Sequence, residues 1–292
     1  MRLVNTTRSL AEPFGDEAAV RILAKNGFDA IDWSFVYLED GDNIWNSDHW
    51  QAHAQHIKAV AEECGIGFSQ AHAPYPTSKG EEPYDTLRMQ CIIRSIEASA
   101  ALGIQNIVVH PRQHLPYSRN KKQLFQENVE MYRSLIPLCE KNNIHVCVEN
   151  MWQYDSKRKI IIDSVCAQPE EFCAMLDEIN SPWIVGCLDV GHAALVGVDP
   201  ADMIRDLGHD RLKALHIHDV DHVHDCHALP FTRDLAWESI MQALADIDYE
   251  GDFTFEAVTY LDKFPKELRP DASALLEKTG RYLMNRIAEL KK

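Results

Sequence analysis

Residues 106–150 read NIVVHPRQHLPYSRNKKQLFQENVEMYRSLIPLCEKNNIHVCVEN, and this stretch decides the fold class. A short apolar run, NIVV, stops at His110 and a proline. A long segment with helical spacing follows, KKQLFQENVEMYRSLIPLCEKNN, with Asn143 at its exit, where a left-handed cap is wanted. A second apolar run, IHVCV, then stops at Glu149. Two such runs joined by a helix imply parallel strands, because a parallel pair needs a crossover of a dozen or more residues. Each run also ends on a group able to do chemistry.

The same unit repeats outward in both directions. Upstream lie the runs MRLVNTT, FDAIDWSF and IGFSQAHAP, and downstream WIVGCLDVG, LKALHIHD and DFTFEAV, each followed by a helical pattern. Gly27, Gly65 and Gly103 sit at helix exits in the manner of Asn143. Eight βα units in 292 residues, with no Pro/Gly/Ser-rich linker, predict a closed (β/α)8 TIM barrel, an α/β single domain spanning residues 1–292. The first βα turn, VNTTRSLAEPFG, carries no GxGxxG, which removes the support for a dinucleotide-binding open sheet.

Composition narrows the function classes. A formal charge of −16 argues against nucleic acid as a partner, since phosphate binding is driven by Lys and Arg. No apolar run approaches the roughly 18–20 residues of a membrane span, and the N-terminus lacks the apolar core of a signal peptide, so a cytoplasmic protein without a membrane partner is expected. The eight cysteines form no CxxC pair and are expected to be reduced and buried. Exposed faces of such barrels often pair, so a homo-oligomer is an open expectation.

Functional groups of a (β/α)8 barrel gather at the C-terminal strand ends. Those ends carry Trp33, His72, His110, Glu149, Asp189 with His192, His216 with Asp219, and Glu256. A single histidine at a strand end is more often a hydrogen-bonded structural residue than a ligand. That explanation would have to hold at six strand tips, for imidazoles and carboxylates alone and never for Lys or Arg. Acidic and imidazole groups converging on one mouth would carry a heavy desolvation cost unless a cation offset it. Glu149, Asp189, His216 and Glu256 offer three carboxylates and one imidazole, a set suited to Mn²⁺, Co²⁺, Zn²⁺ or Mg²⁺. Cys147 and Cys187 precede two of the acids by two positions and are expected to pack in the barrel interior.

The histidine-dense stretch HIHDVDHVHDCH, residues 216–227, sharpens this reading, with five histidines and three aspartates in twelve positions. His216 leaves its strand toward the mouth as the expected ligand. His218 shares that face if the strand continues and would then line a substrate pocket, while Asp219 supports the turn. His222 and His224 fall in the loop. Asp225 and His227 are candidates for a further metal or for substrate.

The ordered motifs HAPY, VVHP, VEN, LDVGHA, HIHD, DCHALP and FEA resemble the xylose isomerase-like TIM barrels, the superfamily of sugar isomerases and epimerases that also includes endonuclease IV. The resemblance covers nearly the whole chain. Its ketose 3-epimerase branch implies one divalent metal held by Glu149, Asp189, His216 and Glu256, with Glu149 and Glu256 as the catalytic acid–base pair. It also implies His192 at the substrate oxygens; His72, His110 and Trp33, with His218, complete the expected substrate-binding set. Endonuclease IV implies instead three zincs on nine residues, matched in type by His72, His110, Glu149, Asp189, His192, His216, Asp225, His227 and Glu256. The first branch implies proton abstraction from a small sugar, sugar phosphate or polyol through a metal-stabilised enediolate; the second implies phosphodiester hydrolysis. The chain departs from the family's usual PGxG after DxHxxP, reading LPFTRDLAW, so Phe231, Thr232 and Arg233 are expected to alter a loop over the site.

Overall fold

The structure, a computed structural model, describes residues 1–38 and 43–291. Eight parallel strands follow the order β10-β1-β2-β3-β4-β5-β8-β9: β1 (Leu3–Thr6), β2 (Ala30–Ser34), β3 (Gly67–His72), β4 (Asn106–Val108), β5 (His145–Glu149), β8 (Ile184–Asp189), β9 (Leu212–His216) and β10 (Phe253–Phe255). The ends of this sheet meet at the pair Ile217 and Phe255, where Ile217 N–H donates to Thr254 O at 2.9 Å and Glu256 N–H to Ile217 O at 3.1 Å. The sheet is thus curled into the expected (β/α)8 barrel. Helices between the strands cover its outside: α1 (Arg8–Phe14), α2 (Asp16–Asn26), α3 (Trp50–Cys64), α4 (Tyr84–Leu102), α5 (Tyr117–Asn142), α6 (Pro169–Ile179), α7 (Val190–Leu195), α8 (Pro200–Arg211), α9 (Trp237–Asp246), α10 (Val258–Asp262) and α11 (Arg269–Leu290). Gly27, Gly65, Gly103 and Asn143 close α2 to α5 with φ of 97°, 69°, 84° and 51°, the left-handed caps their residue types favour.

The barrel has two apolar regions. The larger lies between strands and helices; the smaller, Val108, Cys147, Val185, Cys187 and Ala214, fills the barrel interior. Cys147 and Cys187 therefore pack inside the barrel as expected; no disulfide joins the cysteines, of which Cys139, Cys147, Cys166 and Cys187 are buried and the other four only partly so. Because side chains on a strand alternate between faces, residues two positions beyond these interior groups also face inward, and that places Glu149, Asp189 and His216 at the barrel's mouth.

One element was not legible from periodicity. An antiparallel hairpin, β6 (Trp152–Asp155) with β7 (Ile160–Asp163), rises between β5 and α6 and walls one side of the mouth. Gln153 anchors it: its side-chain amide donates to Gln113 O at 2.8 Å and Leu115 O at 2.9 Å, and its oxygen accepts Tyr117 N–H at 3.0 Å. Among the described residues, no helix is long and apolar enough to cross a membrane.

Candidate functional site

The strand tips are locked together before any ligand is considered. Asn150, the residue after β5, donates to Asp189 O at 2.9 Å and accepts Asp189 N–H at 2.8 Å, tying the tip of β5 to that of β8. Asp189 caps α7 by accepting His192 N–H at 2.7 Å, satisfying one of the helix's unpaired donors and holding His192 one turn away. The DVGH segment is thus a strand end, a cap and a first helical turn in one.

Nine side chains meet above these tips. Glu149, Asp189, His216 and Glu256 each present a ligand atom, all four within 4.8 Å of one another. His216 Nδ1 lies 3.0 Å from Glu149 Oε1 and 3.4 Å from Glu256 Oε2. A second group, His72, His110 and Glu149, shares the same glutamate, and a third comprises His192, Asp225 and His227. His110 Nε2 stands 2.7 Å from Glu149 Oε2 and His227 Nε2 3.1 Å from Asp225 Oδ1, yet neither oxygen has a partner in hydrogen-bonding alignment. His72 and His110 face each other Nε2 to Nε2 at 2.9 Å. Ligand-type atoms that converge this closely, with Glu149 Oε2 and Asp225 Oδ1 left without an aligned N–H, are arranged as metal ligands are.

The imidazole orientations agree. His72, His192 and His227 each donate Nδ1–H to a backbone carbonyl, of Ala73 at 2.9 Å, Asn150 at 2.9 Å and Glu256 at 2.7 Å, leaving Nε2 lone pairs aimed into the site. A fixed tautomer of this kind is the usual support of a ligating histidine. Without a cation, protons bind the cluster together. Burial alone would raise the Glu149 carboxyl, but His216 and His110 outweigh it and hold it well below the ordinary range. Burial lowers His216, but Glu256 and Glu149 overcome it and push the imidazole up to about 10. His227 is likewise opposed by burial and driven by Asp225 to about 9, whereas burial and His110 press His72 down to about 4. The residues present fit a divalent ion, with three carboxylates and one imidazole in the central group.

The site opens into a cavity of about 590 Å³, lined by His72, His110, Glu149, His192, Asp225, His227 and Glu256 together with the hairpin. Two expectations are corrected. Trp33, expected to wall the substrate, is buried on the outer face of β2 against Trp45 and Phe68, because Asp32 takes the inward position. His218 does not line the cavity either: β9 ends at His216, and the fully buried His218 ring turns to Asp189, with Nε2 2.9 Å from both carboxylate oxygens. The 231–233 loop also leads away from the cavity, since Phe231 packs on Trp237 and Tyr282. Asp219 holds that loop, accepting the N–H groups of Val220, Arg233 and Leu235 and the Trp237 indole.

The sequence also offered Trp152, after VENM, as an apolar wall, and it does line the cavity; Arg8, Tyr75, Gln113 and Tyr154 were missed. The short strand-prone runs WQYD and IIID were the available signal for the hairpin. Tyr75 packs its ring edge-on to His110 at 4.6 Å and accepts Gln113 Nε2–H at 2.7 Å, and Gln113 O in turn accepts from Gln153 of the hairpin, so Tyr75 extends the hairpin's side of the mouth.

Gly191 is forced by this packing. A Cβ there would lie 2.2 Å from His218 Cε1, and the His218 ring is already stacked on His227 at 4.0 Å. Gly191→Ala is therefore expected to destabilise the protein by about 1–3 kcal/mol through overpacking and to weaken metal uptake, as read by thermal unfolding and chelator competition.

Residues 20–278 match the model of a family described as xylose isomerase-like TIM barrel. The chain belongs to that family. This xylose isomerase-like barrel is 26% identical over 279 residues to uncharacterized protein y4fM of Sinorhizobium fredii, covering 86% of the chain and 83% of that protein. Among solved structures it shares its fold with a D-psicose 3-epimerase crystallised in the presence of D-fructose, at a TM-score of 0.74 and 17% identity, over 97% of this chain and 99% of that one. A 3-keto-D-glucoside 4-epimerase from E. coli, YcjR, matches at 0.74 and 17%, over 95% and 99%.

Proposed function

We propose that this barrel is a divalent-metal-dependent sugar isomerase or epimerase that moves a proton on the carbon beside a carbonyl. One observation carries the reading: Glu149 and Glu256 stand on either side of His216 Nδ1, at 3.0 and 3.4 Å, both at the floor of the cavity. Glu149, Asp189, His216 and Glu256 would hold the metal. Bound there, a Mn²⁺, Co²⁺, Zn²⁺ or Mg²⁺ ion supplies Lewis acidity that makes the carbon acid beside a carbonyl easier to ionise.

The chain's own residues do the rest. One of Glu149 and Glu256 removes the proton and the other returns one, to the opposite face for epimerisation or to the neighbouring carbon for isomerisation. His192, with its Nδ1–H committed to Asn150 O, turns Nε2 toward Asp225 and the cavity, where it would orient a hydroxyl, and His72 and His110, paired through Nε2, line the same cavity. Tyr75 and Trp152 shield the sugar from water. The sugar epimerases that share the fold support this choice of substrate.

A second reading has its own observation. The triads His72–His110–Glu149 and His192–Asp225–His227 flank the central group and would serve two further metals, as a multi-zinc phosphodiester hydrolase requires. The chain's charge of −16, and a cavity whose lining among the described residues holds Arg8 but no other Arg or Lys, favour a small neutral substrate over a polyanion. Metal content and activity separate the two. Conversion of ketohexoses, 3-keto-glycosides or inososes is the expected result; three bound zincs with cleavage of an abasic-site duplex would reverse the ranking.

A further inference from the structure

Two of the candidate ligating imidazoles have an unsupported far side: His110, whose Nδ1 is buried without a partner, and His216, the imidazole of the central group. His72, His192 and His227 each bond a backbone carbonyl through the nitrogen turned away from the site, whereas His216 turns Nδ1 inward and leaves Nε2 buried with no protein partner. Inside the barrel lies Asp32, 1% exposed, with both carboxylate oxygens also unpartnered. Ile31 and Trp33 pack outward in the main core, which turns Asp32 inward between Thr6 of β1 and Gln70 of β3, its register neighbours. The Thr6 hydroxyl acts on the carboxylate and lowers its pKa, but not in full hydrogen-bonding alignment. Gln70 Nε2 and Thr254 Oγ1, on residues two positions before His72 and Glu256 and therefore on the same inward face, are buried and unpartnered as well. Burial pushes the Asp32 carboxyl up to about 7, and the largest influence opposing it is the imidazole of His216.

Five buried polar atoms left over on the inward faces of β2, β3, β9 and β10 call for partners, because a buried polar group without one costs about 1–3 kcal/mol. A single water with two to four polar neighbours meets that need. We infer that Asp32 is a positioning residue for the metal centre: it holds His216 Nε2–H through a water shared with Gln70 and Thr254, and so fixes the ring that presents Nδ1 to the metal. The carboxylate in turn gains the charge of the imidazole and metal above it. Asp32 touches neither substrate nor metal. The inference rests on the proposed metal site.

The test uses the full chain, stripped of metal and titrated with Zn²⁺ against a chromophoric chelator, with ¹⁵N-histidine spectra of the zinc-loaded form. Asp32→Asn and Asp32→Leu are expected to lower Zn²⁺ affinity roughly 10- to 100-fold, the usual effect of losing a ligand's outer partner. Both should also move or broaden the His216 Nε2–H resonance. Asp32→Leu replaces a buried charge by an apolar group, so its metal-free form should melt no lower than the parent, which separates positioning from folding. Asp32→Glu, with a carboxylate reaching into the water's place, should recover most of the affinity. Parent-like Zn²⁺ affinity with an unmoved His216 signal in Asp32→Asn overturns the inference and leaves the metal site standing. A parent protein that takes up no Zn²⁺ through the Glu149 group overturns both.

Discussion

Glu149→Gln is expected to leave a folded barrel that has lost turnover by roughly 10²–10⁴-fold, the usual contribution of a positioned acid or base. The side chain is completely buried and shared between two ligand groups. Its oxygens lie 3.0 Å from His216 and 2.7 Å from His110. The amide keeps the shape but loses the charge, so the imidazoles on both sides lose their counterion and a metal loses a ligand. Steady-state rates on a converted sugar, together with metal content, check this. Retained turnover would remove Glu149 from the acid–base pair.

Chelation is expected to have the second-largest effect. Removing the metal should abolish activity, and adding Mn²⁺, Co²⁺, Zn²⁺ or Mg²⁺ should restore it. It should also lower stability by about 2.7 kcal/mol relative to protein held at a hundredfold excess of metal over its dissociation constant. The metal-free protein must then rely on imidazolium–carboxylate pairs, and these carry a pH signature. His216, raised from 6.5 to about 10, contributes stability that is complete below 6.5 and lost as pH rises through 10. Glu149 and Glu256, lowered from 4.5, contribute stability that is present above 4.5 and lost as pH falls. Metal-free protein is therefore expected to be most stable between these limits and to weaken on the alkaline side, where the metal-loaded form holds. Thermal melts across pH, with and without chelator, decide it; identical melts and full activity after chelation would contradict the metal reading.

The barrel was legible because its strands are short apolar runs separated by amphipathic helices, and its mouth because polar groups interrupt those runs at one end. Asp189 and His192 could be read together, since a strand end followed by GH fits a capped first turn. What stayed hidden was which face a strand-end residue takes. β2 is buried on both sides, so hydrophobicity does not distinguish Trp33 from its neighbours, and the inward position falls to Asp32. For His218, the end of β9 one residue after Leu215 decides the geometry, and strand ends are poorly marked in sequence. The hairpin and Tyr75 lie in segments after strand ends, where no period announces a role. The role inferred for Asp32 was not legible either, because the residues it would act with come from different strands.

The most direct test of proton transfer between Glu149 and Glu256 is conversion by metal-loaded protein in D₂O, read by NMR at the carbon beside the carbonyl. Two carboxylates that exchange with solvent between turnovers predict one deuterium at that carbon in each product molecule. Product formed with its original hydrogen there and no deuterium would contradict it.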